Sequence, residues 1–200
     1  MGEIKLFNRW SFEGIEVKDP GLKSYINLTP IVVPKTGGRH AKKPFYKSKL
    51  NIVERFVNKL MVPGHRGDKH LISSGRCVGQ TFTVLNIVKE VFERLEKKTG
   101  VNPIQVLVTA IENAALREEI TSYQLGGIVV RKAVVTSPQR RVDLALRNIA
   151  QAAYRKSFGK KISIVDALVE EILGAYNNDS SKSEAIKEKE RIEREAEGAR

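Results

Sequence analysis

Arginine residues recur in the segment 137–158 at a spacing suited to binding a polyanion. Arg140, Arg147 and Arg155 are seven and eight residues apart, so on a helix Arg147 and Arg155 project within about 60° of Arg140. The apolar residues of the segment fall on the opposite side: Val142, Ala145, Leu146, Ile149 and Ala153. We therefore expect a helix with one buried face and an exposed ridge of guanidinium groups about 20 Å long. Such a ridge predicts binding to phosphates.

This ridge lies in the most basic stretch expected within the folded part of the chain. Residues 131–161 hold one acid, Asp143, and nine basic residues: Arg131, Lys132, Arg140, Arg141, Arg147, Arg155, Lys156, Lys160 and Lys161. The alternative interpretation is a solvated helix face, but such faces usually mix charges of both signs. The near absence of acid favours polyanion binding.

A second basic segment, residues 35–49, contains no acid. Its basic residues are Lys35, Arg39, Lys42, Lys43, Lys47 and Lys49. Like charges repel one another, and Gly37, Gly38 and Pro44 interrupt regular structure, so this segment cannot fold alone. It is either an arm that becomes ordered against an anionic surface or a solvated linker.

Residues suited to catalysis or metal binding are sparse. The glycine-spaced loop 74–81, which includes Arg76, lacks the Gly-Lys-Ser/Thr ending of a nucleotide-binding loop, so a turn that approaches an RNA phosphate is favoured. His65, His70 and Cys77 could supply metal ligands, but no regular ligand pair accompanies them. Cys77 as a nucleophile has no recognisable histidine partner. We expect no cofactor and no metal.

Composition agrees with a protein that binds an anionic partner. The chain has 200 residues, 35 Lys and Arg against 23 Asp and Glu, and a net charge of +12. One cysteine excludes an internal disulfide, and no apolar run approaches the roughly 20 residues needed to cross a bilayer. No signal peptide is recognisable, so we expect a soluble, cytoplasmic protein with no membrane partner.

Apolar periodicity predicts helices that position the basic residues. Residues 50–61 and 82–99 repeat at three and four, and Asn102 with Pro103 provides a cap and first turn for a third helix. Ser137 with Pro138 begins the arginine-bearing helix, and Ser163 with Asp166 resembles a capping box for the next.

The segment 118–136 departs from this helical pattern. Its β-branched residues surround Gly126 and Gly127, which predicts a two-stranded hairpin with a glycine turn. Residues 179–200 alternate seven acids with six bases, which is typical of an exposed helix. The expected fold is therefore mainly α: about six helices over residues 48–178 and 179–200, with a protruding hairpin, and an irregular basic extension over residues 1–47.

Several motifs resemble the universal small-subunit ribosomal protein seven family in its archaeal and eukaryotic form. They are KTGVNPIQVL at 98–107, AIEN at 110–113, the Gly126 and Gly127 hairpin, and SPQRRVDLALR at 137–147. The resemblance covers roughly residues 48–200. It implies a helical bundle with a β-ribbon that binds the rRNA of the small-subunit head and nucleates its assembly.

The same resemblance implies where the chain lies and which residues bind. The ribbon would lie near the exit-site tRNA and the mRNA, with Gln124, Gly126 and Gly127 closest, and ribosomal proteins of the head and platform would be neighbours. Arg131, Lys132, Arg140, Arg141 and Arg147 look like rRNA-facing residues. The arm residues Lys42, Lys43, Lys47 and Lys49 would replace the basic N-terminus of bacterial members.

Two other functions remain alternatives at this point. A DNA-binding architectural protein would use the ribbon in a groove. An RNA-modifying enzyme would need a cluster of acid and base groups or a cofactor pocket, which the sequence does not display.

Overall fold

A computed structural model describes residues 3–62, 77 and 79–200. This part of the chain contains seven α-helices and one antiparallel pair of strands, so the predicted mainly α fold is confirmed. The helices are α1 (Pro20–Lys23), α2 (Ile52–Leu60), α3 (Thr81–Thr99), α4 (Pro103–Ala114), α5 (Pro138–Ser157), α6 (Ile164–Tyr176) and α7 (Glu184–Glu197). The strands are β1 (Glu118–Leu125) and β2 (Ile128–Val135). Two short 3₁₀ turns, Arg39–Lys42 and Tyr46–Lys49, lie in the basic arm.

Local capping explains where several helices begin. The Asn102 side chain accepts the N–H of Ile104 at 3.0 Å, and the Ser163 hydroxyl accepts the N–H of Asp166 at 3.1 Å, as the sequence predicts. Ser137 is different, because its side chain makes no capping hydrogen bond within the described residues. The first turn of α5 therefore depends on Pro138, whose fixed φ suits that position.

The hydrophobic core includes large side chains from the N-terminal extension. Helix α6 packs against α3, α4 and α5 at its centre. Against this bundle the N-terminal segment buries Leu6, Trp10, Phe12, Leu22 and Ile26. The Trp10 ring packs edge-on against Phe92 of α3 with centroids 5.6 Å apart. Residues 1–47, expected to form an irregular basic extension, therefore also contribute to the core, because an irregular backbone still places large apolar side chains in the interior.

The C-terminal helix supports the base of the hairpin. Helix α7 packs against β1 and α5 and buries Ala185, Ile186 and Ala196, so it is not the fully exposed helix that its charges suggested. The amide of Arg117, just before β1, donates to Glu193 at 2.8 Å, and the amide of Ala133 donates to the carbonyl of Ala199 at 3.3 Å. These contacts stabilise the base of a two-stranded ribbon that would be only marginally stable in isolation.

A buried carboxylate fixes α7 to the bundle. The side chain of Glu171 is fully buried and accepts hydrogen bonds from the Ser183 hydroxyl at 2.7 Å and the Ala185 amide at 2.9 Å. The ammonium group of Lys156 lies 3.0 Å from its other oxygen. One turn along α6, Gly174 allows the chain before α7 to approach, since a Cβ there would lie 2.9 Å from the Ser183 nitrogen.

Candidate RNA-binding surface

The apolar face of α5 lies as predicted. Val142, Ala145, Leu146, Ile149 and Ala153 are all fully buried. Because these positions recur at three and four residues, their burial turns the opposite side of the helix towards solvent. The separation of apolar and basic faces is thus confirmed, while the state of the basic side chains differs from the prediction.

The ridge residues Arg140 and Arg155 are paired with carboxylates from other elements. The guanidinium of Arg140 forms a bidentate pair with Glu119 of β1, with Nε 2.7 Å from Oε1 and Nη2 2.8 Å from Oε2, which raises the pKa of Arg140. Its side chain is still 56% exposed. Arg155 lies 2.6 Å from Glu184 at the start of α7 and is 29% exposed. The expectation of a ridge with almost no acidic residues beside it is therefore wrong, because the hairpin and α7 place carboxylates next to Arg140 and Arg155.

Arg141 and Lys156 form hydrogen bonds and ion pairs within the protein and are largely shielded from solvent. Arg141 is 12% exposed, and it donates to the Asp19 carboxylate at 2.6 Å and to the Leu116 carbonyl at 2.9 Å. Burial raises the pKa of Asp19, but the hydrogen bonds from Arg141 and from the Gly21 amide outweigh it and lower that pKa overall. Lys156 donates to the carbonyl of Lys182 at 2.6 Å and pairs with buried Glu171. Their expected exposure towards RNA is corrected accordingly.

The remaining basic residues of α5 and its continuation are accessible. Arg147 is exposed on the solvent side of the helix. Lys160 and Lys161 follow the end of α5 and are exposed, and no carboxylate of the described residues forms an ion pair with either. Together with the partly exposed Arg140, they form the cationic surface that α5 presents.

The basic arm folds against the protein itself. The Thr36 amide donates to Glu54 of α2 at 2.8 Å, Ser48 hydrogen-bonds Gln139 at the start of α5, and Lys47 pairs with Asp143. Lys42, Lys43 and Lys49 remain exposed. The arm therefore packs against other parts of the same chain. The sequence analysis had considered an arm that becomes ordered against an anionic surface, or a solvated linker.

Hairpin residues Arg131 and Lys132 lie on β2 with exposed side chains, paired across the ribbon with Ser122 and Thr121. Neighbouring strand residues point to opposite faces, so each face of the ribbon carries one of these two cations. The tight turn uses Gly126 at φ 56° and Gly127 at φ 88°, values that favour glycine and confirm the predicted turn chemistry.

The end of the hairpin is apolar, which the sequence analysis did not single out. Leu125, Ile128 and Val129 are 68%, 71% and 64% exposed, and Tyr123 is half exposed. Gln124 pairs with Val129 next to them. A two-stranded ribbon has no covering layer, so β-branched residues that would be buried in a larger sheet are accessible here.

Enzymatic and metal-binding interpretations gain no support from the described residues. Burial raises the pKa of the Cys77 thiol, which disfavours the reactive thiolate form. No group of three potential metal ligands occurs in the described part, while His65, His70 and Arg76 lie outside it. Within the same part, each helix is too short or too polar to cross a membrane.

The carboxylates that organise this surface were missed by the sequence analysis. Glu119, Asp143 and Glu184 pair with basic residues that lie far from them in the sequence, and Glu171 pairs with Lys156 of the preceding helix. One signal was available for Asp143, since it is the single acid among nine bases. The others carry no local signal.

Almost the whole chain is similar to known proteins of one family. Residues 22–200 match the family model described as ribosomal protein S7p/S5e. The small ribosomal subunit protein uS7 of Nanoarchaeum equitans is 50% identical over 198 residues, covering 99% of this chain and 100% of that protein. The small ribosomal subunit protein uS7 of Archaeoglobus fulgidus is 48% identical over 198 residues, covering 99% and 96%. The chain therefore belongs to the ribosomal protein S7p/S5e family.

Proposed function

We propose that this chain binds the rRNA of the small-subunit head directly, nucleates the assembly of the head, and lies close to the exit-site tRNA and the mRNA path in the cytoplasmic ribosome. Family membership establishes the general role of the chain, and this proposal adds the specific contacts and location. The chain is a structural constituent of the small ribosomal subunit and not an enzyme, in a family for which rRNA binding is general.

The observation that carries the proposal is the solvent face of α5 with its continuation. A buried apolar face fixes the helix, and Arg140, Arg147, Lys160 and Lys161 project outward along one side or just beyond its end. Arg131 and Lys132 extend the charge onto the hairpin. Phosphate contacts of this kind position a protein on folded RNA, and specificity then comes from RNA shape because an A-form helix hides its major groove.

The arm and the ribbon tip give the proposal further contact regions. Lys42, Lys43 and Lys49 supply exposed cations on the arm, and Gln124, Gly126 and Gly127 form the turn that we propose lies near tRNA and mRNA. The exposed apolar side chains at the tip suit contacts with bases or with a neighbouring ribosomal protein of the head or platform.

Competition binding with a nucleotide-level crosslinking readout tests this proposal. Small-subunit rRNA should displace labelled rRNA far better than large-subunit rRNA or duplex DNA of equal length at the same salt concentration. Crosslinks from the arm and from α5 should converge on one region of the small-subunit rRNA. Equal competition by all three nucleic acids, or crosslinks scattered along the rRNA, would contradict direct and specific binding.

A further inference from the structure

A cavity of about 1330 Å³ opens at the base of the hairpin. Its wall is formed by residues 14–20 of the N-terminal segment, by α4, by the two ends of the hairpin and by the start of α5, with further residues from α6 and α7. Asp19 of the N-terminal segment is held in this wall by Arg141 of α5 at 2.6 Å. The volume exceeds the roughly 300 to 1,000 Å³ of a small-molecule pocket, so the cavity suits a longer ligand.

Two buried oxygen atoms in the wall of this cavity have no hydrogen-bond partner within the described residues. One is Oε2 of Glu112 on α4, whose Oε1 already accepts from the Asp19 amide at 2.8 Å. The other is the hydroxyl of Thr136, a residue that is only 2% exposed. Buried polar atoms are nearly always paired, and a carboxylate can only accept, so the missing partner of Glu112 is a hydrogen-bond donor.

The charges of the wall argue against a nucleic-acid phosphate as this partner. The wall contains four cations, which are Lys18, Arg117, Arg141 and Lys189. It also contains three carboxylates, which are Glu16, Asp19 and Glu112. A phosphate group would be repelled by these carboxylates, and it has no proton to donate to Glu112. The wall therefore suits a ligand that offers both donors and acceptors and carries little net charge.

The outer edge of β2 reaches this cavity with main-chain groups that point away from β1. The Ala133 amide points outward, because it donates to the Ala199 carbonyl, whereas the Thr136 amide points inward to the Arg117 carbonyl. Since the direction of these groups alternates along a strand, the N–H and C=O of Val135 also point outward. Val135 lines the cavity and is 83% exposed. A strand edge of this kind can pair with an added strand.

We propose that this cavity binds an extended segment of another protein of the small subunit, whose main chain pairs with β2 at Val135 and donates a hydrogen bond to Glu112. A polypeptide main chain offers one donor and one acceptor at most residues and has no net charge, which matches the wall. Thr136 hydrogen-bonds a further polar group of the same segment. This inference rests on the proposed function in one respect, because that function makes the partner a neighbour in the ribosome.

Photocrosslinking in assembled small subunits identifies the occupant. Benzoylphenylalanine is placed at position 135 instead of Val135, and in the control it replaces Lys89, an exposed residue of α3 outside the wall. The crosslink from position 135 should map by mass spectrometry to one short segment of a single small-subunit protein, and the control should not capture that segment. A crosslink to rRNA, a crosslink confined to this chain, or no protein crosslink at all would overturn the proposal.

Affinity measurements with the captured segment, prepared as a synthetic peptide, test the two oxygen atoms. E112Q keeps an acceptor for the Asp19 amide but replaces the unpaired oxygen with a donor, and T136V removes the hydroxyl at nearly constant volume. Each substitution should weaken binding of the peptide to the full chain about three- to tenfold. E90Q changes an exposed glutamate of α3 outside the wall and should bind the peptide like wild type.

Thermal unfolding of the free chains separates ligand binding from a structural role of Thr136. Because a buried hydroxyl without a partner is unfavourable, T136V should melt at or above the wild-type temperature when no peptide is present. A lower melting temperature would mean that the hydroxyl has a partner within the chain, which contradicts the proposal.

The remaining contrary results distinguish this inference from the proposed function. If the peptide does not bind wild type, or binds wild type, E112Q and T136V equally, the cavity does not recognise a main chain and the inference fails. Specific rRNA binding by wild type would leave the proposed function standing in that case. Loss of specific rRNA binding by wild type would contradict the proposed function itself, whatever the peptide does.

Discussion

Glu119 of β1 and Arg140 of α5 are joined by a bidentate ion pair that fixes the base of the hairpin to the first turn of the arginine-bearing helix. The pair has two consequences. It sets the direction of the ribbon relative to α5, and it lowers the positive charge that Arg140 presents to RNA. Arg140 nevertheless keeps more than half of its side chain exposed, so it can contact a phosphate while it remains paired.

We expect E119Q to strengthen rRNA binding by about two- to fivefold at low salt, because it releases the charge of Arg140 for phosphate. R140Q should weaken binding and make the salt slope shallower by about 0.7 to 0.9. Filter binding over a salt series measures both effects. If R140Q binds rRNA with wild-type affinity, Arg140 serves only its ion pair with Glu119 and does not contact RNA.

Asp143 should be important for stability, because its removal leaves the buried guanidinium of Arg55 without its anionic partner. D143N is expected to lower the free energy of unfolding by about 2 to 4 kcal/mol in urea denaturation. E90Q removes an exposed pair with Arg94 on α3 and is the control, with an expected loss of at most about 0.5 kcal/mol. Equal effects of the two substitutions would contradict the role assigned to Asp143.

Two adjacent glutamates on α6 should behave very differently. Glu171 is fully buried against Lys156 and the cap of α7, whereas Glu170 is exposed and 3.9 Å from the same lysine. E171Q should cost about 3 kcal/mol and speed hydrogen exchange in α7, because a buried carboxylate that pairs with Lys156 is lost and a cap is weakened. E170Q should cost less than about 1 kcal/mol. Unchanged exchange in α7 for E171Q would refute this attachment.

Structural features that depend on residues close together in the sequence could be predicted from local patterns. The spacing of Val142, Ala145 and Ile149 gave the buried face of α5, and Gly126 with Gly127 gave the hairpin turn, because both features depend on residues close in sequence. The caps at Asn102 and Ser163 are of the same kind. Each of these predictions is confirmed by the structure.

Ion-pair partners could not be predicted because they come together only when the chain folds. Asp19 reaches Arg141 across 122 residues, and Glu184 reaches Arg155 from the next helix but one. A helical wheel shows which side of α5 is exposed but says nothing about what lies beside it. The same limit explains why Trp10, in a segment without periodicity, was not predicted to be in the core.

The pH dependence of the stability of K59Q checks the electrostatic environment of Lys59 on α2. Because the pKa of Lys59 is lowered in the folded protein, its protonated form destabilises the fold at all pH values below that lowered pKa. This penalty is lost as pH rises through the lowered pKa towards the ordinary lysine value of 10.5. K59Q should therefore be more stable than wild type at pH 7, and the difference should shrink as pH approaches 10.5. Urea midpoints at matched ionic strength measure it, and a wild type that is the more stable protein at pH 7 would contradict this description.

The salt dependence of wild-type binding to small-subunit rRNA tests the central claim most directly. If the exposed cations of α5, the hairpin and the arm together neutralise about eight phosphates, log K should fall against log salt with a slope of roughly −6 to −7. A slope near zero would mean that phosphates are not what this surface binds.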